Sequence, residues 1–220
     1  MSTANAARGP GRPPGADGAE TRRRILHSAR QVFSSTGFDR ASLKQIAEDA
    51  GVTRNAIANY YPSKAALHAA AFASIQRDAV ARILAIASEI DGTVPGRVMA
   101  LFEAAIALDT TDPSFVRFMI TATVDATHHP ELGDHSLRQF TDVRTFLTDT
   151  LHAGQLRGEL DDSLDVGATA QVLVDLLWGL AMDIGFFSDK RRTGHTLRAV
   201  SGLLHTALAG SPDPSPPTGQ

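Results

Sequence analysis

The 220-residue chain contains no cysteine. That excludes a disulfide framework, a thiolate nucleophile and any Cys-ligated metal site, and it fits a reducing compartment. Aromatic residues make up 6% of the chain, with one tryptophan and two tyrosines. No segment sustains the apolar–polar alternation of a half-buried strand, so no sheet is expected. The opening residues, MSTANAARGPGRPPGADG, lack the apolar run of a signal peptide. The longest apolar stretch, near Val172 to Phe187, is cut by Asp175 and Asp183 and is expected to be too short for a bilayer. A soluble cytoplasmic protein without a membrane partner is the expectation. The chain has no G-x-S-x-G, no phosphate-binding glycine loop and no H-E-x-x-H, so neither catalysis nor a cofactor is expected. His128, His129 and His135 surround Pro130 without the helical i, i+4 pairing of a zinc site, and read as surface loop rather than metal ligands. Asp161, Asp162 and Asp165 read as loop and helix-start charges.

What is present is unevenly spread. Hydrophobic residues reach 43%, enough for a sizeable core, and the formal net charge is −3. Residues 1–64 carry ten Lys and Arg against five acids, a net of +5, and the remainder carries eleven against nineteen, a net of −8. A basic N-terminal part on an acidic body points to a polyanion partner for one end only.

The basic part contains ASLKQIAEDAGVTRNAIANYYPSK, residues 41–64. Ser42 and Gln45 have capping-box spacing. Leu43, Ile46, Ala47 and Ala50 share one helical face. Gly51 suits a left-handed stop, and Thr53 can cap a second short helix from Arg54 to about Asn59. Ile57 and Tyr61 give that helix an inward face. Arg54, Asn55, Ala56 and Asn59 remain outward, an Arg/Asn front suited to base edges in a DNA major groove.

In chain order, residues 1–18 should be a disordered arm. A helix from Glu20 to about Thr36 buries Ile25, Ala29, Val32 and Phe33, ends at Gly37, and folds Phe38 back beneath it. Its first turns hold Arg22, Arg23 and Arg24, which oppose the helix dipole and so suggest a nearby phosphate. With the two helices above, it should close a small core of Ile25, Phe33, Phe38, Leu43, Ile46, Val52, Ile57 and Tyr61. Ser63 then caps one long helix, Lys64 to about Glu89. Further helices are expected over about 95–109, 113–127, 130–153, 164–187 and 191–209, and residues 210–220 should be a disordered tail. The helix at 164–187 is apolar nearly all round and needs cover on both sides; a second copy of the chain would supply it, with the last helix completing a two-plus-two bundle.

Taken together, residues 22–67 resemble the TetR family of bacterial regulators. The resemblance rests on ILHSARQVFSSTGF, ASLKQIAEDAGVT and NYYPSKAAL, with the spacing of Phe33, Gly37, Phe38, Ser42, Ile46, Ala47, Ala50, Gly51, Val52, Tyr61, Lys64 and Leu67. Beyond residue 67 the match is one of architecture. The resemblance implies an all-α chain: a three-helix helix-turn-helix DNA-binding domain (19–64) and a larger helical ligand-binding and dimerisation domain (65–209). It further implies a homodimer on double-stranded DNA whose heads change separation when a small-molecule effector binds. Base-reading positions fall on Thr53, Arg54, Asn55, Ala56 and Asn59, and phosphate-touching positions on Tyr60 and Lys64. Ala58 stands where the family usually has a backbone-contacting tyrosine, and Ala65 where an acid commonly follows the lysine. The first departure leaves more phosphate anchoring to Tyr60, Lys64, Lys44 and the arm.

An effector pocket would draw on Phe102, Ile106, Phe115, Phe118, Met119, Thr123, Phe140, Arg144, Trp178 and Met182, with Phe146 and Leu147 on the same helices. Such an aromatic lining suits an apolar or amphipathic molecule. The expected function is a ligand-responsive regulator, a repressor in preference to an activator, binding a palindromic operator as a homodimer and released by a small molecule. The alternative is a helical small-molecule binder or enzyme that has lost specific DNA binding.

Overall fold

The computed structural model describes residues 16–90, 92–111, 114–133, 141–187 and 190–208. Of the expected arm at 1–18, residues 1–15 lie outside the described residues and residues 16–18 are helical, and the expected tail at 210–220, Phe140 and His135 also lie outside the described residues. Among the described residues there are helices and no strand.

The N-terminal helices end where the sequence has stop signals. Helix α1 (Ala16–Arg40) starts earlier than expected and is kinked at Gly37, whose φ of +75° a side chain would resist. Helix α2 (Leu43–Ala50) begins at Ser42, whose hydroxyl accepts the Gln45 amide at 3.1 Å, the hydroxyl half of the expected capping box. It ends at Gly51 with φ +62°, and the Val52 amide closes on the Ala47 carbonyl at 2.9 Å. Helix α3 (Arg54–Tyr60) is capped by Thr53, which accepts from the Ala56 amide at 3.1 Å. Ser63 does the same for α4 (Lys64–Ile75), accepting from Ala66 at 3.0 Å.

The long rod expected from Lys64 to about Glu89 is helical throughout but not one α-helix. After α4 comes a π-helical turn, Gln76–Val80, and then α5 (Ala81–Ser88). The reason lies in the apolar stripe. Leu67, Ala71 and Ile75 are buried four residues apart, and Ile83 and Ala87 continue that spacing. Between them the step from Ile75 to Val80 is five residues, and a π turn absorbs the extra one. An unbroken α-helix would have brought the exposed Asp78 toward the stripe instead.

Helices α6 (Val94–Thr111), α7 (Ser114–His128), α8 (Thr141–Leu156), α9 (Val166–Phe187) and α10 (Lys190–Leu208) complete the body. The single helix expected over 130–153 is corrected. Pro130–Leu132 forms a 3-10 turn stopped by Gly133 at φ +69°, and α8 is described only from Thr141. The length expectation for α9 is corrected too. Its 22 residues, with a mean hydropathy of 1.5 over the best window, are enough in length and composition to cross a membrane. Here Val166, Ala170, Leu173, Val174, Leu177 and Leu180 are buried within the bundle.

Two apolar cores hold the chain. The first joins Ile25, Phe33, Phe38, Ile46, Ile57 and Tyr61 of the head to Leu67, Phe72 and Ile75 of α4 and to Phe115, Phe118 and Ile120 of α7. The three-helix core is therefore not closed on itself, because Phe118 stacks on Phe33 with ring centres 6.1 Å apart. Leu43 and Val52 are only partly buried at its edge. The second core joins Val80, Ile83 and Ala87 to residues of α6, α8, α9 and α10, including Val98, Phe102, Leu147, Leu151 and Leu173.

Candidate nucleic-acid interface and effector cavity

Helix α3 has a dry back and a wet front. Ile57 is fully buried, and Thr53, Arg54, Asn55, Ala58 and Asn59 are exposed. Ala56 and Tyr60 are half-buried. The side chains of Arg54, Asn55 and Asn59 make no hydrogen bond or ion pair to any described residue, so they are available to a partner. Tyr60 is held in place by the Arg22 guanidinium, 5.5 Å from its ring centre. Lys44 is exposed and 3.9 Å from Glu48 one turn on, a contact of little strength in water.

Lys64 faces inward. Its ammonium donates to the carbonyls of Phe38 at 2.7 Å, Asp39 at 3.2 Å and Ala41 at 3.2 Å, and lies 4.3 Å from the Phe38 ring centre. All three donors are engaged, so the residue ties the α1–α2 corner to the start of α4. The arginines of α1 are similarly engaged. Arg24 donates to the carbonyls of Ala50 and Gly51 at the C-terminal end of α2, complementing that helix dipole. Arg23 pairs with Glu20 at 2.7 Å, and that hydrogen bond raises its pKa.

Beside Lys64 lies a buried imidazole that sequence reasoning passed over. His68 is 2% exposed and packs edge-on against Phe33 at 4.8 Å and Phe118 at 5.1 Å. Burial, with the nearby His129 and Lys64 charges adding, lowers its pKa to about 4. Its Nε2 has no partner among the described residues. On α7, Asp125 accepts the Phe38 amide at 3.0 Å, and burial outweighs that bond and raises its pKa. His129 sits 3.1 Å from both Asp39 and Glu131. The head is thus fastened to α7 by polar contacts as well as by Phe118.

A cavity of about 60 Å³ lies between the rod and the body helices. Val80 and Ile83 line it from the rod, Ala105 and Ile106 from α6, Phe115, Val116, Met119 and Ile120 from α7, and Val143 from α8. Leu177, Trp178, Leu180, Ala181 and Ile184 complete it from α9. Four residues expected at an effector pocket are brought together there: Ile106, Phe115, Met119 and Trp178. The other expected residues that the structure describes lie elsewhere. Phe102 is buried in the body core, and Phe118 in the head core. Thr123 donates its hydroxyl to the Met119 carbonyl at 3.0 Å. Arg144 is exposed, and Met182 is on the outer side of α9. The missed lining residues are aliphatic, and only the rotation of each helix distinguishes them from ordinary core.

This arrangement, a capped two-helix unit with an unengaged Arg/Asn face on an all-helical body enclosing an apolar cavity, is that of a one-component DNA-binding regulator. Residues 25–71 match the bacterial regulatory proteins of the tetR family, and residues 95–209 match the BetI-type transcriptional repressor C-terminal family. The chain belongs to the TetR family of transcriptional regulators. It is similar to the HTH-type transcriptional regulator UidR of Escherichia coli K12, with 25% identity over 85% of this chain and 94% of that one. It is also similar to the HTH-type transcriptional repressor BepR of Brucella suis, with 29% identity over 74% and 80% of the two chains. In fold it is similar to a transcriptional regulator from Saccharomonospora viridis solved in complex with choline, at a TM-score of 0.76 and 20% identity, over 88% of this chain and 100% of that one. FadR from Bacillus subtilis, solved with stearoyl-CoA, superposes at a TM-score of 0.72 and 18% identity over 86% and 99%.

Proposed function

We propose that the protein is a cytoplasmic repressor that binds a near-palindromic operator as a homodimer and is released when a small molecule enters the cavity. It acts by binding rather than catalysis. The observation that carries this reading is α3, with Ile57 buried behind and Arg54, Asn55 and Asn59 unengaged in front. Arg54 suits guanine O6/N7, and the two asparagines suit adenine N6/N7. Thr53 and Ala56 border them, and Tyr60 and Lys44 face the phosphates. Lys64 contributes by orienting the head, because its donors already serve three carbonyls.

The dimer is supported by the outer face of α9 and α10. Val172 is 57% exposed, Phe187 66% and Leu203 68%, and Leu176, Met182 and Phe186 are also exposed. So many exposed large apolar side chains on two neighbouring helices call for cover. Gly179 lies on the same helix with open space around it, where a partner helix can approach closely. Two-fold pairing of these helices would bury the face of α9 that the bundle leaves wet, with no membrane involved.

Footprinting on the DNA flanking the gene, followed by gel shifts at two salt concentrations, tests the reading. A protected near-palindrome with half-sites about one helical turn apart is expected. Retardation that competitor DNA removes would overturn it.

A further inference from the structure

The corner between α1 and α2 is held from α4 and from α7. From α4, Lys64 donates to the carbonyls of Phe38, Asp39 and Ala41. From α7, the Asp125 carboxylate accepts the Phe38 amide at 3.0 Å, and just past its end the His129 ring lies 4.9 Å from the Phe38 ring. Helices α2 and α3 follow directly from this corner, so whatever fixes the corner sets how α3 is presented.

His129 uses both ring nitrogens there. Its Nε2 is 3.1 Å from Asp39 Oδ1 on the head, and its Nδ1 is 3.1 Å from Glu131 Oε1 on the 3-10 turn. A neutral imidazole carries one N–H and one lone pair, and an ionised carboxylate only accepts. With the neutral ring, one of the two carboxylates therefore faces a lone pair. Only the imidazolium donates to both. The His129 side chain is 19% exposed, against 80% for Asp39 and 53% for Glu131. The ring is the fixed member, and a carboxylate that loses its donor can turn to water.

We propose that His129 is a positioning residue for operator binding: as an imidazolium it clasps Asp39 of the head to Glu131 of the turn, and operator affinity falls when that proton is lost. The inference goes beyond the effector reading and rests only on sequence-specific operator binding. The groups around the clasp leave this titration to His129. Those facing it are Asp39 from α1, Glu131 from the turn, Asp125 and His128 from α7, and Lys64 and His68 from α4. The Lys64 ammonium serves three carbonyls, and Asp125 holds the Phe38 amide. His128 turns its Nδ1 back to the Val124 carbonyl at 3.0 Å. His68, lowered to about 4 by burial, stays neutral where an ordinary histidine titrates. Among these three imidazoles, His129 is the one that meets carboxylates.

The test measures the affinity of the full-length protein for its footprinted operator from about pH 5.5 to about 8.5, the span in which histidine changes charge, at two salt concentrations. Wild-type affinity is expected to fall across this span by about 2- to 5-fold more than that of His129→Gln, whose single donor nitrogen serves one carboxylate at any pH. Asp39→Asn should hold its affinity at high pH, because the asparagine amide can donate to the lone pair of a neutral ring. This exposed site also keeps the test open if His129→Gln does not fold. A merely structural role for His129 would lower the affinity of His129→Gln equally at every pH, and a wild-type pH profile in that variant overturns the proposal. An Asp39→Asn profile as steep as the wild type's overturns Asp39 as the clasped group. A wild-type salt slope that flattens by about 0.9 per head at high pH would put the imidazolium on a phosphate, and overturns the clasp. Absence of sequence-specific retardation at every pH is the failure of operator binding itself, and the inference falls with it.

Discussion

The two halves of the rod are made of similar residues and do different work. Helix α4 is buried among rings, with Phe72 and His68 against Phe118 and Phe33. Helix α5 is buried among aliphatic chains beside the cavity, through Ile83 and Ala87. Rings that interlock edge-on resist sliding, because their contacts are directional. Aliphatic walls around a void have fewer contacts to lose. The difference sets the half of the rod that packs with the head apart from the half that lines the cavity, and the π turn is where one becomes the other.

The comparison breaks most severely if the head core loses its ring from the body. Phe118→Ala removes a fully buried side chain that stacks on Phe33. We predict a loss of about 3–5 kcal/mol in stability by urea denaturation, and a loss of operator binding that no effector restores. Met119→Ala, at the half-buried cavity wall one residue on, should cost visibly less.

The next effect is a pH dependence from a group buried in the head core. His68 has its folded pKa lowered to about 4 from 6.5, so between those values the unfolded chain binds the additional proton. Its contribution is therefore fully present above pH 6.5 and lost as pH falls toward 4, to a total of roughly 3 kcal/mol. Denaturation curves at several pH values should show this slope, and His68→Leu should remove the part due to this group. A wild-type slope retained in the variant would overturn the assignment to His68, and Asp125, whose raised pKa gives a slope of the opposite sign, would not explain it.

A smaller effect sharpens the contrast between reading DNA and holding the head. Arg54→Ala should relax preference at one base pair per half-site, costing roughly 1–3 kcal/mol, whereas uniform loss across sequences would mean phosphate contact. Lys64→Met should lower affinity while leaving the salt slope unchanged; a slope flattened by about 0.9 would mean that Lys64 does reach a phosphate. The smallest predicted change is Ser42→Ala, about 1 kcal/mol of stability from the lost α2 cap, measured by thermal denaturation.

The same division explains what the sequence disclosed. The helix-turn-helix was legible because its signals are local: Ser42, Thr53 and Ser63 cap the next helix, and Gly37 and Gly51 stop the previous one. The inward turn of Lys64 was not legible, because the carbonyls it meets lie more than twenty residues away in the chain. For the cavity, aromatic residues were overweighted. Phe102 and Phe118 went to the two cores, whereas Ala105, Leu177 and Ile184 line the space. Which face of an all-apolar helix meets a void depends on how neighbouring helices rotate, and composition carries no record of that. The π turn leaves one trace, the five-residue step from Ile75 to Val80, which is meaningful only once the stripe on either side is known.

The proposed release of the operator requires that filling the cavity moves the heads. The chain has no native cysteine, so Asp49→Cys, at an exposed site on α2, places one spin label per head. Pulsed electron resonance on the proposed dimer, with and without iodobenzene as an apolar probe whose iodine quenches the cavity's Trp178, then reads the distance between heads. The account predicts a resolved distance that shifts on adding iodobenzene in step with quenching of Trp178. An unchanged distance at saturating quenching would contradict it.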